Sequence, residues 1–306
     1  MPNIEAYKRR ETSCPEGPYT LFIEPTNHCN LACVFCPQKS QERQLGFMSL
    51  DVFRKILKDA AGSGVRKINI FFLGESLMHK QIFQMIEEIS EAGLESRLNT
   101  NATFLDEARA LALLESGVNY VTISFEGTDK ETYEKLRVKA NFEKTLTNIE
   151  NFLRLKESLN SPTKVNIEII DMEETHGLLD DFEQKMRLLK PDEVTRKVYR
   201  NWIGYLEAEK NLNLQEAYNI CSYPWRSMAV LWDGTYVPCC VDYDGKYPLG
   251  TYSEGLMQAW NGERMLQLRE YLIQRKSKIK SSHGKRQCHG LCSQCDIPFD
   301  PEDHCL

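Results

Sequence analysis

No apolar run in this 306-residue chain approaches the ~20 residues needed to cross a bilayer, and the first ten residues are polar. Neither a membrane partner nor a secretion signal is expected, and a cytoplasmic protein is the natural reading. Positive charge is also in short supply. Lys and Arg number 38 against 44 Asp and Glu, a formal net charge of −6. That leaves no global attraction to a phosphate backbone, so nucleic acid is not an expected partner. No internal repeat or long low-complexity segment is visible. Cysteine is missing from the whole middle of the chain, with none between Cys36 and Cys221.

Elsewhere cysteine is abundant: eleven in all. In a chain without a secretion signal, clustered thiols read as metal ligands or redox groups before disulfides. Cys29, Cys33 and Cys36 form one group, and Cys221, Cys239, Cys240, Cys288, Cys292, Cys295 and Cys305 crowd the end. Two metal centres in two regions follow. Cys14 and Cys305, near the termini, receive no role. The remaining composition, 42% hydrophobic and 27% charged, is that of a globular protein with a full core.

Short apolar strands alternate with amphipathic helices from residue 19 to about 199. Strands are expected at 19–24, 68–73, 94–99, 120–125, 165–170 and 193–199. Phe104, Leu105, Ala108, Leu111 and Leu114 follow helical spacing, as do Phe142, Leu146, Ile149 and Leu153. Ser49 suits a helix N-cap, and Gly62–Gly64, Gly93 and Gly117 fall where helices should stop. Six βα units imply an α/β fold with a parallel sheet and right-handed crossovers, a partial (β/α)6 TIM-like barrel, since closure would need eight. The expected organisation is an N-terminal extension (1–18), the partial barrel (19–210) and a small C-terminal auxiliary-cluster domain (211–306). The last region holds turn signals at Trp232-Asp233-Gly234 and Asp244-Gly245 and one helix near 257–273. The basic run 276–287 reads as a solvated linker.

Cys29-Asn30-Leu31-Ala32-Cys33-Val34-Phe35-Cys36 directly follows the first strand. Three thiolates on one loop can hold three corners of a cubane cluster and leave the fourth iron open. Zinc, with His28 as a fourth ligand, is the alternative. CxxxCxxC with an aromatic before its last cysteine, placed after strand one of a βα series, resembles the radical S-adenosylmethionine (radical SAM) superfamily. Leu73-Gly74-Glu75-Ser76-Leu77 is similar to that family's Gly-Gly-Glu-Pro segment, and Asn99-Thr100-Asn101-Ala102 to its Thr-Asn-Gly. Ile123-Ser124-Phe125-Glu126-Gly127 and the segment from Glu131 to Arg137 continue the likeness. Leu73, Ser76 and Ala102 depart from the pattern.

The resemblance implies a SAM-binding [4Fe–4S] cluster on Cys29, Cys33 and Cys36. It implies S-adenosyl-L-methionine bound by Phe35, Gly74, Glu75, Thr100, Ser124 and Arg137. Glu75 would take the cofactor ammonium, Thr100 and Ser124 its carboxylate or ribose, Arg137 a carboxylate, and Phe35 the adenine. Further on, Cys221, Trp225, Asp233-Gly234, Cys239-Cys240, Trp260-Asn261 and Cys292/Cys295 resemble a SPASM-like extension of this superfamily. The likeness is to its reduced, single-cluster (twitch) form, as in an aminocyclitol dehydrogenase. That implies one auxiliary [4Fe–4S] cluster on Cys221, Cys239, Cys292 and Cys295. A second auxiliary cluster and a structural zinc site are the alternatives. Either Cys239 or Cys240 could be the ligand; spacing from Gly234 favours Cys239.

By this resemblance the expected activity is hydrogen abstraction from an unactivated C–H bond by a 5′-deoxyadenosyl radical. Oxidation of a small polar substrate, a sugar or aminocyclitol, is favoured, with the auxiliary cluster as electron acceptor. Arg196, Lys197 or Arg200 would take the hydroxyl proton, and Trp202 and Tyr205 could stack on a sugar. Epimerisation with Cys240 as hydrogen donor and modification of a ribosomal peptide are the alternatives; only 18 residues precede the first strand, which weakens the peptide reading. A flavodoxin- or ferredoxin-type electron donor is implied. A plain electron carrier or zinc scaffold would have no use for Glu75 and Ser124.

Overall fold

The computed structural model describes residues 3–202, 219–281, 290–293 and 295. Six strands, β1 (Thr20–Ile23), β2 (Lys67–Asn69), β3 (Glu95–Thr100), β4 (Tyr120–Ser124), β5 (Lys164–Asp171) and β6 (Glu193–Val198), pair in parallel and in sequence order. The sheet is open and continues past β1. There β7 (Ser227–Val230) lies parallel to β1, and β8 (Thr235–Val237) and β9 (Gly250–Thr251) add antiparallel, giving the order β6-β5-β4-β3-β2-β1-β7-β8-β9. The helices are α1 (Ile4–Arg9), α2 (Leu50–Gly62), α3 (Ile82–Glu91), α4 (Glu107–Glu115), α5 (Lys130–Leu136), α6 (Phe142–Ser158), α7 (Leu179–Leu188), α8 (Tyr223–Arg226), α9 (Leu256–Asn261), α10 (Glu263–Ser281) and α11 (Gly290–Ser293).

Alternation along each strand sorts the side chains. Leu21, Ile23, Ile68, Leu98, Val121, Ile123, Val165, Ile167 and Ile169 are buried in the main core with apolar residues of α2, α3, α4 and α6. The opposite face is polar. Asn99, Thr122 and Asn166 stand in register across it, as do Ser124, Glu168 and Thr195. A fully covered parallel sheet would be apolar on both faces; this one keeps one face for polar groups.

The local signals act as their chemistry requires. The Ser49 hydroxyl accepts the Val52 N–H at 3.3 Å and starts α2. Gly64, Gly93 and Gly117 follow α2, α3 and α4 with φ of +86°, +71° and +76°. Three expectations need correction. The helical stripe read from Phe104 to Leu114 has the wrong phase, because Asp106 accepts the Arg109 N–H at 3.0 Å and starts α4 only at Glu107. The buried face is then Ala110, Leu113 and Leu114, with Ala108 and Leu111 exposed. The single helix expected near 257–273 is two, α9 and α10, meeting at Gly262. The Asn261 side chain there exchanges two hydrogen bonds with the Cys14 backbone, at 2.7 and 3.0 Å. Finally, α10 runs on to Ser281, into the stretch read as a linker, since Gln, Arg and Lys are good helix formers. Residues 282–287 of that stretch, Tyr205, Cys288 and Cys305 lie outside the described residues.

The N-terminal segment is built into the C-terminal helices. Trp225 and Trp260 donate their indole N–H groups to the Glu11 and Glu16 carbonyls at 2.7 and 2.8 Å. Arg269 of α10, fully buried, donates to the Thr12 and Pro224 carbonyls at 2.7 and 2.8 Å. Among the described residues no helix is long and apolar enough to cross a membrane.

Candidate active site

The three-cysteine loop leaves the C-terminal end of β1 and is held from two sides. On one side the Glu75 N–H donates to the His28 carbonyl at 2.8 Å. Gly74 lies so close that a Cβ there would sit 2.3 Å from the Thr26 oxygen and 2.5 Å from that of His28. Only glycine lets the two segments approach in this way. On the other side the Ala32 and Val34 N–H groups donate to the Val138 and Leu136 carbonyls, both at 3.0 Å. Burial pushes the Cys29 and Cys36 thiols up to about 11 and about 12, and raises that of Cys33. Such thiols stay protonated until an electrophilic metal replaces the proton. The ring of His28, the fourth ligand of the zinc reading, stacks on Phe47 with centroids 4.6 Å apart.

Glu75 is buried beside this loop. Its Oε1 accepts from Thr100 Oγ1 at 2.8 Å and Leu77 N at 3.1 Å, and its Oε2 from Asn101 N at 2.8 Å. A carboxylate offers about four lone-pair sites, so Oε2 keeps one to spare. Burial raises the pKa of Glu75 against the pull of these donors. Thr100 is thus turned toward Glu75, and its oxygen also accepts from Ala102 N at 3.0 Å. Arg137 is buried, with Nε donating to Glu126 Oε2 and Nη1 reaching Cys33 Sγ at 3.9 Å. Its guanidinium carbon lies 5.5 Å from the Phe35 ring centroid, and Phe35 packs with Leu136 and Met172. Ser124, half-buried, ends β4 opposite Glu168.

Two residues without an assigned role belong to this group. Glu126 is fully buried and its Oε1 has no hydrogen-bond partner among the described residues. Asn101 carries its side-chain nitrogen to 4.0 Å from Cys29 Sγ. Both stood within quoted motifs. A charged residue at the end of an apolar strand was the available signal for Glu126.

The second cysteine set also converges. Cys221, Cys239, Cys292 and Cys295 line one small pocket closed by Leu268 and Leu272 of α10, and Cys240 is not among its lining residues. Cys239 is the buried member of the adjacent pair. Burial, then the neighbouring Cys240, Cys292 and Cys295, drive its thiol far up. Trp202 and Tyr223 complete this small apolar cluster, Trp202 standing edge-on to Tyr243 at 6.3 Å. Among the described residues no three His, Cys, Asp or Glu side chains converge tightly enough for a single metal ion. A cubane asks for a wider set, one thiolate to each iron.

The two regions are clasped together. Arg43, just beyond the first cysteine loop, makes a bidentate pair with the buried Glu24 at 2.9 and 2.8 Å and donates Nε to the Tyr243 carbonyl at 2.8 Å. Asp244 accepts the Glu42 and Arg43 N–H groups at 2.8 and 3.2 Å. At the sixth strand, Lys197 faces the polar side of the sheet and pairs with Glu168 at 3.2 Å. Arg196 points the other way and pairs with Asp180 and Glu183 of α7, both at 2.6 Å. That removes it as a substrate base, because successive strand residues take opposite faces.

Residues 23–198, more than half of the chain, match the sequence profile of the radical SAM superfamily. The chain belongs to that superfamily. Residues 221–296 match the SPASM iron–sulfur cluster-binding domain. A radical SAM domain implies a [4Fe–4S] cluster and S-adenosylmethionine, and a SPASM domain implies auxiliary iron–sulfur clusters. The residues present fit both groups. The first site offers three half-buried thiols with N–H donors beside them and two buried carboxylates that, among the described residues, have acceptor capacity to spare; the second offers four thiols around one pocket. Over 252 residues the chain is 25% identical to the tungsten-containing aldehyde ferredoxin oxidoreductase cofactor-modifying protein of Pyrococcus furiosus, covering 72% of this chain and 70% of that protein. It spans about half the length of the probable GTP 3′,8-cyclases it also matches. Among solved structures, BtrN with AdoMet and 2-DOIA superimposes with a TM-score of 0.59 at 17% identity, covering 91% of this chain and 92% of BtrN. Streptococcus suis SuiB with its precursor peptide SuiA gives 0.69 at 15%, covering 96% and 72%. At these identities the two structures establish the shared fold.

Proposed function

We propose that this radical SAM enzyme oxidises a carbinol or amine carbon of a small polar substrate held on the polar face of the sheet. The observation that carries the reading is the juxtaposition of Cys29, Cys33 and Cys36 with Glu75 and Arg137, together with a separate pocket lined by four more thiols. Cys29, Cys33 and Cys36 would hold the cofactor-binding cluster, and Cys221, Cys239, Cys292 and Cys295 an auxiliary one. When bound, these groups and S-adenosylmethionine supply a 5′-deoxyadenosyl radical and a one-electron acceptor. Glu75 Oε2 and Glu126 Oε1 receive N–H or O–H donors of bound molecules. Arg137 holds a carboxylate, and Ser124 offers a hydroxyl from the end of β4. Gly74 keeps the loop seated. Glu168, oriented by Lys197, is the carboxylate on the substrate face able to take a hydroxyl proton. A flavodoxin- or ferredoxin-type protein would deliver the priming electron.

Electron bookkeeping tests the oxidative reading. Incubation of reduced enzyme with amino sugars and aminocyclitols should yield one 5′-deoxyadenosine per oxidised product with no net consumption of external electrons. One external electron consumed per turnover would contradict it. A peptide substrate is the second reading, favoured by the likeness to peptide-bound SuiB. Epimerisation through Cys240 is supported by that residue being half-buried, outside the lining of the four-thiol pocket.

A further inference from the structure

We infer that Asn101 raises the reduction potential of the cofactor-cleaving cluster by donating its side-chain N–H to the Cys29 sulfur. The inference rests on Cys29, Cys33 and Cys36 being that cluster's ligands. Asn101 follows β3 and is 6% exposed. Its backbone N–H is fixed by Glu75 Oε2 at 2.8 Å. Its Oδ1 accepts both the Thr103 N–H at 3.0 Å and the Thr103 hydroxyl at 2.6 Å. Two donors on one oxygen settle which end of the amide is which. Nδ2 therefore faces the loop, where one of its two hydrogens serves Asn30 Oδ1 at 3.1 Å. The other is left for Cys29 Sγ, 4.0 Å away. Asn30 is in turn tied by its own Nδ2 to Thr103 Oγ1 at 2.8 Å, so the amide cannot swing out without breaking a closed ring of bonds.

Hydrogen bonds to cluster sulfurs draw electron density from the iron and favour the reduced state. Arg137 stands in the same relation to Cys33 at 3.9 Å, but Glu126 shares its charge. Asn101 is neutral and makes no ion pair, so its effect on the sulfur can be isolated by substitution.

The test is an anaerobic redox titration of the reconstituted enzyme, following the reduced cluster by EPR in wild type, N101A and N101D. N101A removes the donor without adding charge, whereas N101D keeps the oxygen that Thr103 bonds but sets a carboxylate beside the sulfur, so its shift should be the larger. Both variants should titrate at more negative potential. The expected shift is a roughly tenfold lower ratio of reduced to oxidised cluster at a fixed potential, about 59 mV for a one-electron couple. An unchanged or raised midpoint in N101A that loads iron fully would overturn the inference. Should the variants fail to load, wild-type protein carrying asparagine labelled with 15N at the side-chain amide decides the matter. The reduced cluster should show a hyperfine coupling to that nitrogen, and its absence would overturn the inference. A wild-type protein with no iron at these cysteines would instead defeat the ligand assignment itself.

Discussion

Glu75 Oε2 combines burial with one acceptor site left unfilled among the described residues, the condition under which a charged donor gains most from binding. Replacing the carboxylate by an amide should weaken S-adenosylmethionine binding roughly 10–100-fold, the equivalent of about 1.5–3 kcal/mol for a hydrogen bond to a charged group. Anaerobic calorimetry of E75Q checks this, and an unchanged affinity would remove Glu75 from the site. His79, three residues before α3, gives a pH signature of its own. It is buried, with Nδ1 accepting the Gln81 N–H at 3.1 Å and Nε2 set against the Met48 carbonyl at 2.8 Å. Burial holds its pKa below the usual 6.5. The unfolded chain then binds the extra proton first, so stability must fall as pH drops below about 6.5. Urea midpoints of wild type and an H79Q variant should converge between pH 7 and pH 5, and parallel curves would contradict the assignment. Glu75 and the cysteines were legible because their types and spacing carry chemistry. Asn101 and Glu126 were not, because spacing does not tell which polar groups end up buried beside a thiol or without a partner.

Among the elements, the turn after β2 carries the closest backbone approach at the site. A methyl group on Gly74 would meet two carbonyl oxygens of the segment leading into Cys29, and neither can give way without moving the loop. G74A should lose much of its bound iron and unfold earlier, whereas G177A, whose added methyl would meet nothing within 4 Å among the described residues and which needs no special φ, should match wild type in both. Equal iron content in the two variants would sink this account of the loop. The strands β1 to β6 were readable from apolar alternation, but β7 was not placed. Ser227–Val230 is a short apolar stretch, and nothing local reveals that its partner is β1, some 200 residues earlier. The phase of α4 was misread for a related reason: a single capping carboxylate, Asp106, decides where the helix begins.

For the molecule as a whole, the question is how the two cysteine regions are kept in a fixed relation. The Arg43–Glu24 pair is nearly buried, with side-chain exposures of 11% and 0%, and Glu24 also accepts the Trp232 N–H at 3.1 Å. Removing one member strands a buried charge, at a cost of about 3–5 kcal/mol. R43M should therefore lower the thermal midpoint sharply, and the double variant R43M/E24M should recover part of the loss. A double variant no better than R43M would mean that the clasp contributes packing rather than charge compensation. The sequence made the parallel sheet and both cysteine groups legible. It did not reveal that the N-terminal segment is held by Trp225, Trp260 and Arg269, since those bonds run from side chains to backbone carbonyls over more than 200 residues.

The most direct test of the three-thiolate site is the formation of 5′-deoxyadenosine by reconstituted, oxygen-free protein after reduction with dithionite in the presence of S-adenosylmethionine. Wild type should produce it, and C36A should produce none while retaining the iron held by the second cysteine set. Cleavage persisting in C36A, or absent from iron-replete wild type, would contradict the assignment of Cys29, Cys33 and Cys36 as holders of an open cluster.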